Sequence, residues 1–432
     1  MNATPYLLEA GTPDGCAFRR KTFHIFSRVI TASTVVAMLG TILYLIFALA
    51  SMYHGSRDFD WLLGIFSDFV VIMDYALEES PYLVEGSSYP PLAIFILYPF
   101  ALICKGVFAK YCDLTLTADE LTSLVILTPQ FWIALILFFL VTTTLVVFLL
   151  YRLFPVRRRD MIPFVSVIIF SAPFVYAIMR GNTIYFALIF LLLFLWLHES
   201  SSPLLREISY VCLALAGAIK IYPLFFGVFL LKKRKWLPAL RVGLYTAVLF
   251  FVPFALLESG LSDLLPFLDN LNGFANNTLR LGATNNLSPS ALIFQLLSLF
   301  GLSYTVVYDV CMVLILSVIF LVGTYAALRT NDRLSRYIIC FAVVTLIPSV
   351  SYFYTIVFAI IPFMEFIRCA DTLDRFRYRN YFFCFMLLLF TPLIITQFFL
   401  IQCLVILWLF AGEVYRLFKH ELPARRQQQI AQ

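Results

Sequence analysis

Residues 131–150 run for twenty positions without a charged side chain. About 20 apolar residues are what a helix needs to cross the roughly 30 Å hydrocarbon core of a bilayer. Further apolar runs, some shorter or carrying one charge, recur at 29–52, 90–103, 161–178, 183–197, 211–231, 237–257, 304–328, 337–350, 355–367, 381–395 and 397–409. No water-soluble core could absorb this much apolar surface: 62% of residues are hydrophobic and 13% charged, against about 45–50% and about 25% in soluble domains. The chain is therefore expected to be an all-α polytopic membrane protein of about 11–13 spanning helices. No internal repeat or low-complexity linker divides it, so residues 1–432 read as one membrane domain.

Charge placement suggests orientation. Arg19, Arg20 and Lys21 precede the first run, and the positive-inside rule puts residues 1–28 in the cytoplasm. That segment is polar and basic and the run after it is long enough to span, so it does not read as a cleavable signal. Residues 53–89 then form a first outer loop rich in acids, and 258–303 a second, rich in Asn. Lys232-Lys233-Arg234-Lys235 is the strongest cytoplasmic anchor, and the tail, 410–432, is expected on the same side. Arg157, Arg158 and Arg159 also ask for the cytoplasm, which a simple helix count allows only if 116–127 makes an extra partial crossing. Glu207 and Lys232 both ask for one side, so 211–231 is expected to bend at Lys220-Ile221-Tyr222-Pro223 and lift Lys220 towards the outer face.

Four features could carry chemistry. Asp68 is alone among Phe66, Phe69, Val70, Val71 and Ile72; such an Asp either caps a helix or points into a site. Lys220 stands in a membrane segment, where an ionisable group is costly and usually functional. It suits a lipid-linked phosphate, or else snorkels to headgroups. Arg180-Gly181-Asn182 is an outer polar turn, either part of a site or a tight reversal of the kind Gly and Asn favour. The Asn-rich stretch 270–288 offers amides for hydroxyl recognition, or is plain loop; Asn276 and Asn286 head weak N-x-[ST] patterns. Glu78, Glu79 and Glu85 read as solvated. The nine Cys form no C-x-x-C pair, and the four His are too dispersed for a metal cage. No phosphate-binding loop or dinucleotide fingerprint occurs.

The order of these parts resembles the GT-C superfamily of membrane glycosyltransferases, and within it glycosyltransferase family 87, the polyprenyl-phosphate-mannose-dependent mannosyltransferase-like proteins. The resemblance is carried by Asp68-Phe69, Tyr82, Ser88-Tyr89-Pro90-Pro91-Leu92-Ala93 and Arg180-Gly181-Asn182. It continues through 214–223, the basic run 232–236 and Asn285-Asn286-Leu287-Ser288. Relatives often carry Tyr where Ile72 stands, and His near the late outer turn where this chain has Tyr352 and Tyr354.

This resemblance implies a GT-C-like bundle and an inverting single displacement. An acceptor hydroxyl on a lipid or glycan attacks the anomeric carbon of a polyprenyl-phosphate hexose, with mannose expected, on the extracytoplasmic face. Asp68 is the implied general base, with Asp58 and Asp60 as alternatives. Lys220 and Arg180 are implied to hold the donor phosphate, and Tyr89, Asn182, Asn285, Asn286 and Tyr354 to orient sugar or acceptor. No cofactor is implied; some GT-C enzymes use a divalent metal, but only the loop acids suggest one here. Partners are the lipid-linked donor, the acceptor and the bilayer, with no nucleic acid. A bacterial plasma membrane is the expected location. The alternatives are a secondary transporter of a small solute and a lipid-linked glycan polymerase or ligase.

Overall fold

The computed structural model describes residues 66–83, 86–111, 116–155, 161–280, 286–302, 306–391 and 398–423, with residues 35 and 39. The first expected span, 29–52, therefore lies outside the described residues apart from positions 35 and 39, and Asp58, Asp60, Glu85, Arg157 to Arg159 and Asn285 lie wholly outside them.

Everything described is helix or connection. The order is α1 (Ser67–Tyr75), α2 (Pro91–Phe95), α3 (Tyr98–Phe108), α4 (Ala118–Val125), α5 (Pro129–Leu153), α6 (Met161–Ile169), α7 (Ala172–Arg180), α8 (Ile184–Leu197) and α9 (Pro203–Ile219). A 3-10 segment, Tyr222–Gly227, leads into α10 (Val228–Lys232). Then come α11 (Trp236–Phe254), α12 (Leu264–Arg280), α13 (Pro289–Ser298), α14 (Val306–Arg329) and α15 (Arg333–Leu346). A second 3-10 segment, Phe353–Ala359, leads into α16 (Ile360–Cys369), followed by α17 (Arg375–Phe390) and α18 (Phe398–Arg416). The one extended pairing among the described residues is an isolated antiparallel bridge between Asn286 and Tyr352.

The chain is an all-α polytopic membrane protein. Among the described residues five helical stretches are long and apolar enough to cross a bilayer: Pro129–Leu153, Trp236–Phe254, Val306–Arg329, Phe353–Thr372 and Phe399–Glu421. α6 and α7, bent by 51° at their junction, are together apolar and long enough for a broken span or a re-entrant loop. Other apolar stretches among the described residues are shorter or broken. α8 has 14 residues, about 21 Å of helix. Pro and a reversal divide 211–231. The α11 and α14 windows are only 22% and 17% buried within the protein. Their apolar side chains, such as Leu244, Val248, Leu314 and Leu321, are exposed and suited to face lipid.

α9 and the 222–232 segment form an antiparallel pair. A Cβ on Gly217 would sit 2.4 Å from the Leu224 side chain, and one on Gly227 would lie 3.8 Å from Leu213. Contacts whose residue numbers rise on one strand and fall on the other describe a reversal. Lys220, in extended backbone at φ −143°, is its tip. This is the bend expected from the conflicting charges of Glu207 and Lys232.

The reversal gives the bundle two ends. One holds Lys220. The other holds ion pairs between Lys233 and Glu199 at 2.5 Å, Arg241 and Glu207 at 2.9 Å, and Arg377 and Asp332 at 2.7 Å. α9, at 17 residues, separates the ends by about 25 Å. α5 runs between them. Phe131 near its start packs on Phe66, and Arg152 near its finish stacks over Trp196, 4.9 Å from the ring centroid.

No partial crossing appears at 116–127. α4 is eight residues, capped by Thr117, whose amide donates to Glu120 Oε2 at 2.8 Å while Glu120 N donates back to Thr117 Oγ1 at 3.3 Å. Asp119 and Glu120 in its first turn are exposed, where the helix dipole favours acids. α4 packs against α1 as a surface helix.

Candidate active site

α1 begins under constraint. Phe66, before its first turn, has φ 66°, a left-handed conformation rare for a bulky residue. What holds it is its surroundings: Phe66 N donates to Met179 O at 2.6 Å, and its ring sits edge-on to Phe131 and Trp132. Phe66 thereby ties the start of α1 to the end of α7.

The end of α7 is shaped to receive it. Gly181 takes φ 60°, its N–H donating to Ile178 O, while Asn182 N donates to Ala177 O. These two bonds are a helix terminator of the Schellman type. A Cβ on Gly181 would lie 2.2 Å from Phe69 Cβ. Glycine is required there for both its backbone angle and the closeness of α1.

That closeness brings Asp68 onto the turn. Arg180 Nε donates to Asp68 Oδ2 at 3.1 Å and Nη2 to Oδ1 at 2.5 Å. Asn182 Nδ2 donates to Oδ2 at 2.8 Å, and its own Oδ1 accepts from Ile184 N at 3.0 Å, at the start of α8. Asp68 is 7% exposed. It does not cap its own helix. It lies in a cleft.

Tyr89 closes one side. Burial first, and the Asp68 carboxylate second, hold its phenol well above the ordinary tyrosine pKa, so it stays a hydroxyl donor. Its backbone oxygen accepts from Tyr82 OH at 2.8 Å, and the Tyr82 ring is packed by Phe254 and Phe267. The Lys220 ammonium sits 4.9 Å from the Tyr89 ring centroid and 5.9 Å from that of Tyr354. Such aromatic faces stabilise a cation without neutralising it. Lys220 has no carboxylate within ion-pair distance among the described residues.

Tyr354 is placed by the turn before it. Asn286 Oδ1 accepts from Ser288 N and Ser351 N, and its Nδ2 donates to Ser349 O at 3.0 Å. Leu287 N adds a bond to Ser351 O at 2.7 Å. The second outer segment is thus pinned to the 349–352 turn, and Tyr354 is stacked on Tyr176.

The cleft measures about 470 Å³ and is lined by Ser67, Asp68, Val71, Tyr75, Gly86, Ser88, Tyr89, Ala118, Asp119, Asp269, Asn270, Gly273 and Phe274. A comparison with protein families matches glycosyltransferase family 87 to residues 88–351, more than half of the chain. The chain belongs to glycosyltransferase family 87. It is a membrane glycosyltransferase, which decides for sugar transfer over solute transport. The match covers Tyr89, Arg180, Asn182, Lys220 and Asn286; Asp68 and Tyr354 lie just outside it. No curated protein and no solved structure matched the chain.

Within this family-87 chain the structure brings together Asp68, Arg180, Asn182, Tyr89, Lys220 and Tyr354. Asn286 joins them at one remove, its amide bonded to the chain itself. Asn270 was named in the sequence only as part of a stretch. It donates to Tyr82 O and Ser87 O at 2.9 and 3.2 Å, fixing α12 beside the first loop. Tyr176, Asp119, Asp269 and Phe274 had no distinguishing sequence signal. Among the described residues, no three His, Cys, Asp or Glu side chains converge as a metal set would require.

Proposed function

We propose that this glycosyltransferase moves a hexose, mannose being the expected one, from a polyprenyl-phosphate donor to a hydroxyl of a lipid- or glycan-linked acceptor, with inversion. The observation that carries this reading is the juxtaposition of a carboxylate held in a cleft with a lysine beside two tyrosine rings.

An ionised carboxylate has about four lone-pair sites. Arg180 and Asn182 occupy three on Asp68, two on Oδ2 and one on Oδ1. The Tyr89 hydroxyl also bonds this carboxylate, and the acceptor hydroxyl takes the place of that neutral donor. As the acceptor oxygen bonds to the anomeric carbon, its proton passes to Asp68. The bond from the anomeric carbon to phosphate breaks with its electron pair on phosphate. A cation fixed where that charge grows lowers the barrier, and Lys220 stands in that role. Arg180, paired with Asp68, is a positioning group first and a second phosphate ligand in reach. Asn182 orients the base. Asn286 acts through Tyr354.

Residues at the Lys220 end are read as extracytoplasmic and the termini as cytoplasmic, in a bacterial plasma membrane. The donor's lipid tail then stays in the bilayer while its sugar meets the cleft. Phosphate is itself the leaving group, so this route uses no second protonated carboxyl and no added cofactor.

Purified protein in lipid nanodiscs, given a panel of radiolabelled polyprenyl-phosphate sugars and mixed membrane lipids, tests the reading. Label moving into lipid or glycan product from such donors supports it. Transfer from nucleotide sugars alone sinks it.

A further inference from the structure

The charged groups of the site are divided. Lys220 and Arg180 stand at the ends of α9 and α7. On the other side, Asp119 from α4 and Asp269 from α12 line the cleft that contains Asp68. Both of these carboxylates are exposed, and neither has a hydrogen-bond or ion-pair partner among the described residues.

Exposed acids alone would mean nothing, but the rest of the wall is unlike a solvated loop. Two aromatic residues, Phe274 and Tyr75, and two hydroxyl residues, Ser67 and Ser88, line the cleft. Gly86 and Gly273 line it without side chains, and a Cβ on Gly273 would meet nothing within 4 Å. The Asn270 bonds to the first loop hold α12 in place as one wall. The volume, about 470 Å³, is that of a small-molecule site.

Resting on the glycosyl-transfer reading above, we propose that this cleft is the acceptor subsite and that it selects an uncharged, hydroxyl-rich glycosyl group. Aromatic rings cover the apolar face of a sugar. Carboxylates accept from its hydroxyls, since an ionised carboxylate is acceptor-only. The same two charges repel a phosphate or carboxylate on the acceptor. The donor phosphate is drawn to the lysine side and the neutral acceptor to the acidic side, so the two substrates cannot exchange places.

Matched octyl hexosides, neutral and 6-phosphorylated, are the probes. Their binding to the full chain in nanodiscs is measured by titration calorimetry, and their use as acceptors by transfer. Neutral hexosides are expected to bind about ten-fold or more tighter than their 6-phosphates. In Asp119→Asn/Asp269→Asn that preference shrinks towards parity. In Gly273→Leu, where the new side chain enters the cleft without a clash and a helix gains a better former, neutral binding falls by about ten-fold or more, equivalent to 1.4 kcal/mol or more. Donor binding stays within error in both variants. No binding of neutral hexosides, equal binding of the phosphates, or indifference to both substitutions overturns the inference. Intact hexoside binding with no transfer from any polyprenyl-phosphate sugar overturns the donor reading and leaves the acceptor subsite standing.

Discussion

Arg180 grips both carboxylate oxygens of Asp68 across 112 residues of sequence. The pair is largely buried, the side chains being 21% and 9% exposed. Removing one partner strands the other, at a cost of about 3–5 kcal/mol for a buried pair. Arg180→Gln is therefore expected to lower stability markedly in denaturant titrations. Adding Asp68→Asn to it should recover part of the loss, because the stranded charge is gone. A double variant no more stable than Arg180→Gln would contradict a direct pairing.

Gly181 makes that pairing possible. Gly181→Ala forces a Cβ to within 2.2 Å of Phe69 and an L-residue into φ 60°. The backbone alone costs about 1–2 kcal/mol, and α1 must also retreat. Transfer is expected to fall by about ten-fold or more for each 1.4 kcal/mol of misplacement. Gly243→Ala, inside a helix with open space around it, is the control and should leave transfer unchanged and thermal stability equal to wild type or slightly higher.

Lys220 lies over two aromatic faces, which makes a graded series possible. Lys220→Met is expected to weaken binding of the lipid-phosphate sugar by about ten- to a hundred-fold, the worth of a charged hydrogen bond at about 1.5–3 kcal/mol. Tyr354→Phe keeps the ring above the ammonium and should bind donor nearly as wild type. Tyr354→Leu removes the ring and should bind less well. Equal donor affinity in all three variants would remove Lys220 from the phosphate site.

Asp68, Arg180, Asn182 and Lys220 were legible because each is a polar residue at the edge of an apolar run, where burial is costly and needs a reason. Their union was not, since only the fold brings the end of α7 to α1. Asp119 and Asp269 stayed silent because an acid facing a cleft and an acid facing water look alike in an already polar segment. Asn286 reads as a sugar-binding amide in sequence, yet its amide bonds to Ser288, Ser349 and Ser351. The helical membrane class followed from composition. The breaks within the runs were legible in part: the reversal of 211–231 at Lys220 followed from the opposed demands of Glu207 and Lys232, whereas the division after Pro90-Pro91 at Ile96 and Leu97 carries no such charge conflict.

Asp263 offers a pH test outside the site. It is buried, and among the described residues its carboxylate oxygens make no hydrogen bond of good geometry. Burial raises its pKa, and the nearby Ser259 hydroxyl offsets only part of that. A carboxyl raised on folding favours the protonated native state, so its contribution falls as pH rises from the unfolded value of 3.8 through the raised one. Asp263→Asn is expected to be more stable than wild type at neutral pH, by about 1–3 kcal/mol. The difference should close as pH falls towards 4. A variant less stable than wild type at neutral pH would show that the charge is satisfied.

The most direct test of the mechanism is transfer by Asp68→Asn in nanodiscs, measured beside its binding of the polyprenyl-phosphate sugar that wild type uses. A base contributes about 10²- to 10⁴-fold to such a step. Donor binding close to wild type with transfer reduced by about that factor is the expected result. Transfer at the wild-type rate in a folded, donor-binding Asp68→Asn protein would contradict the account and place the base elsewhere.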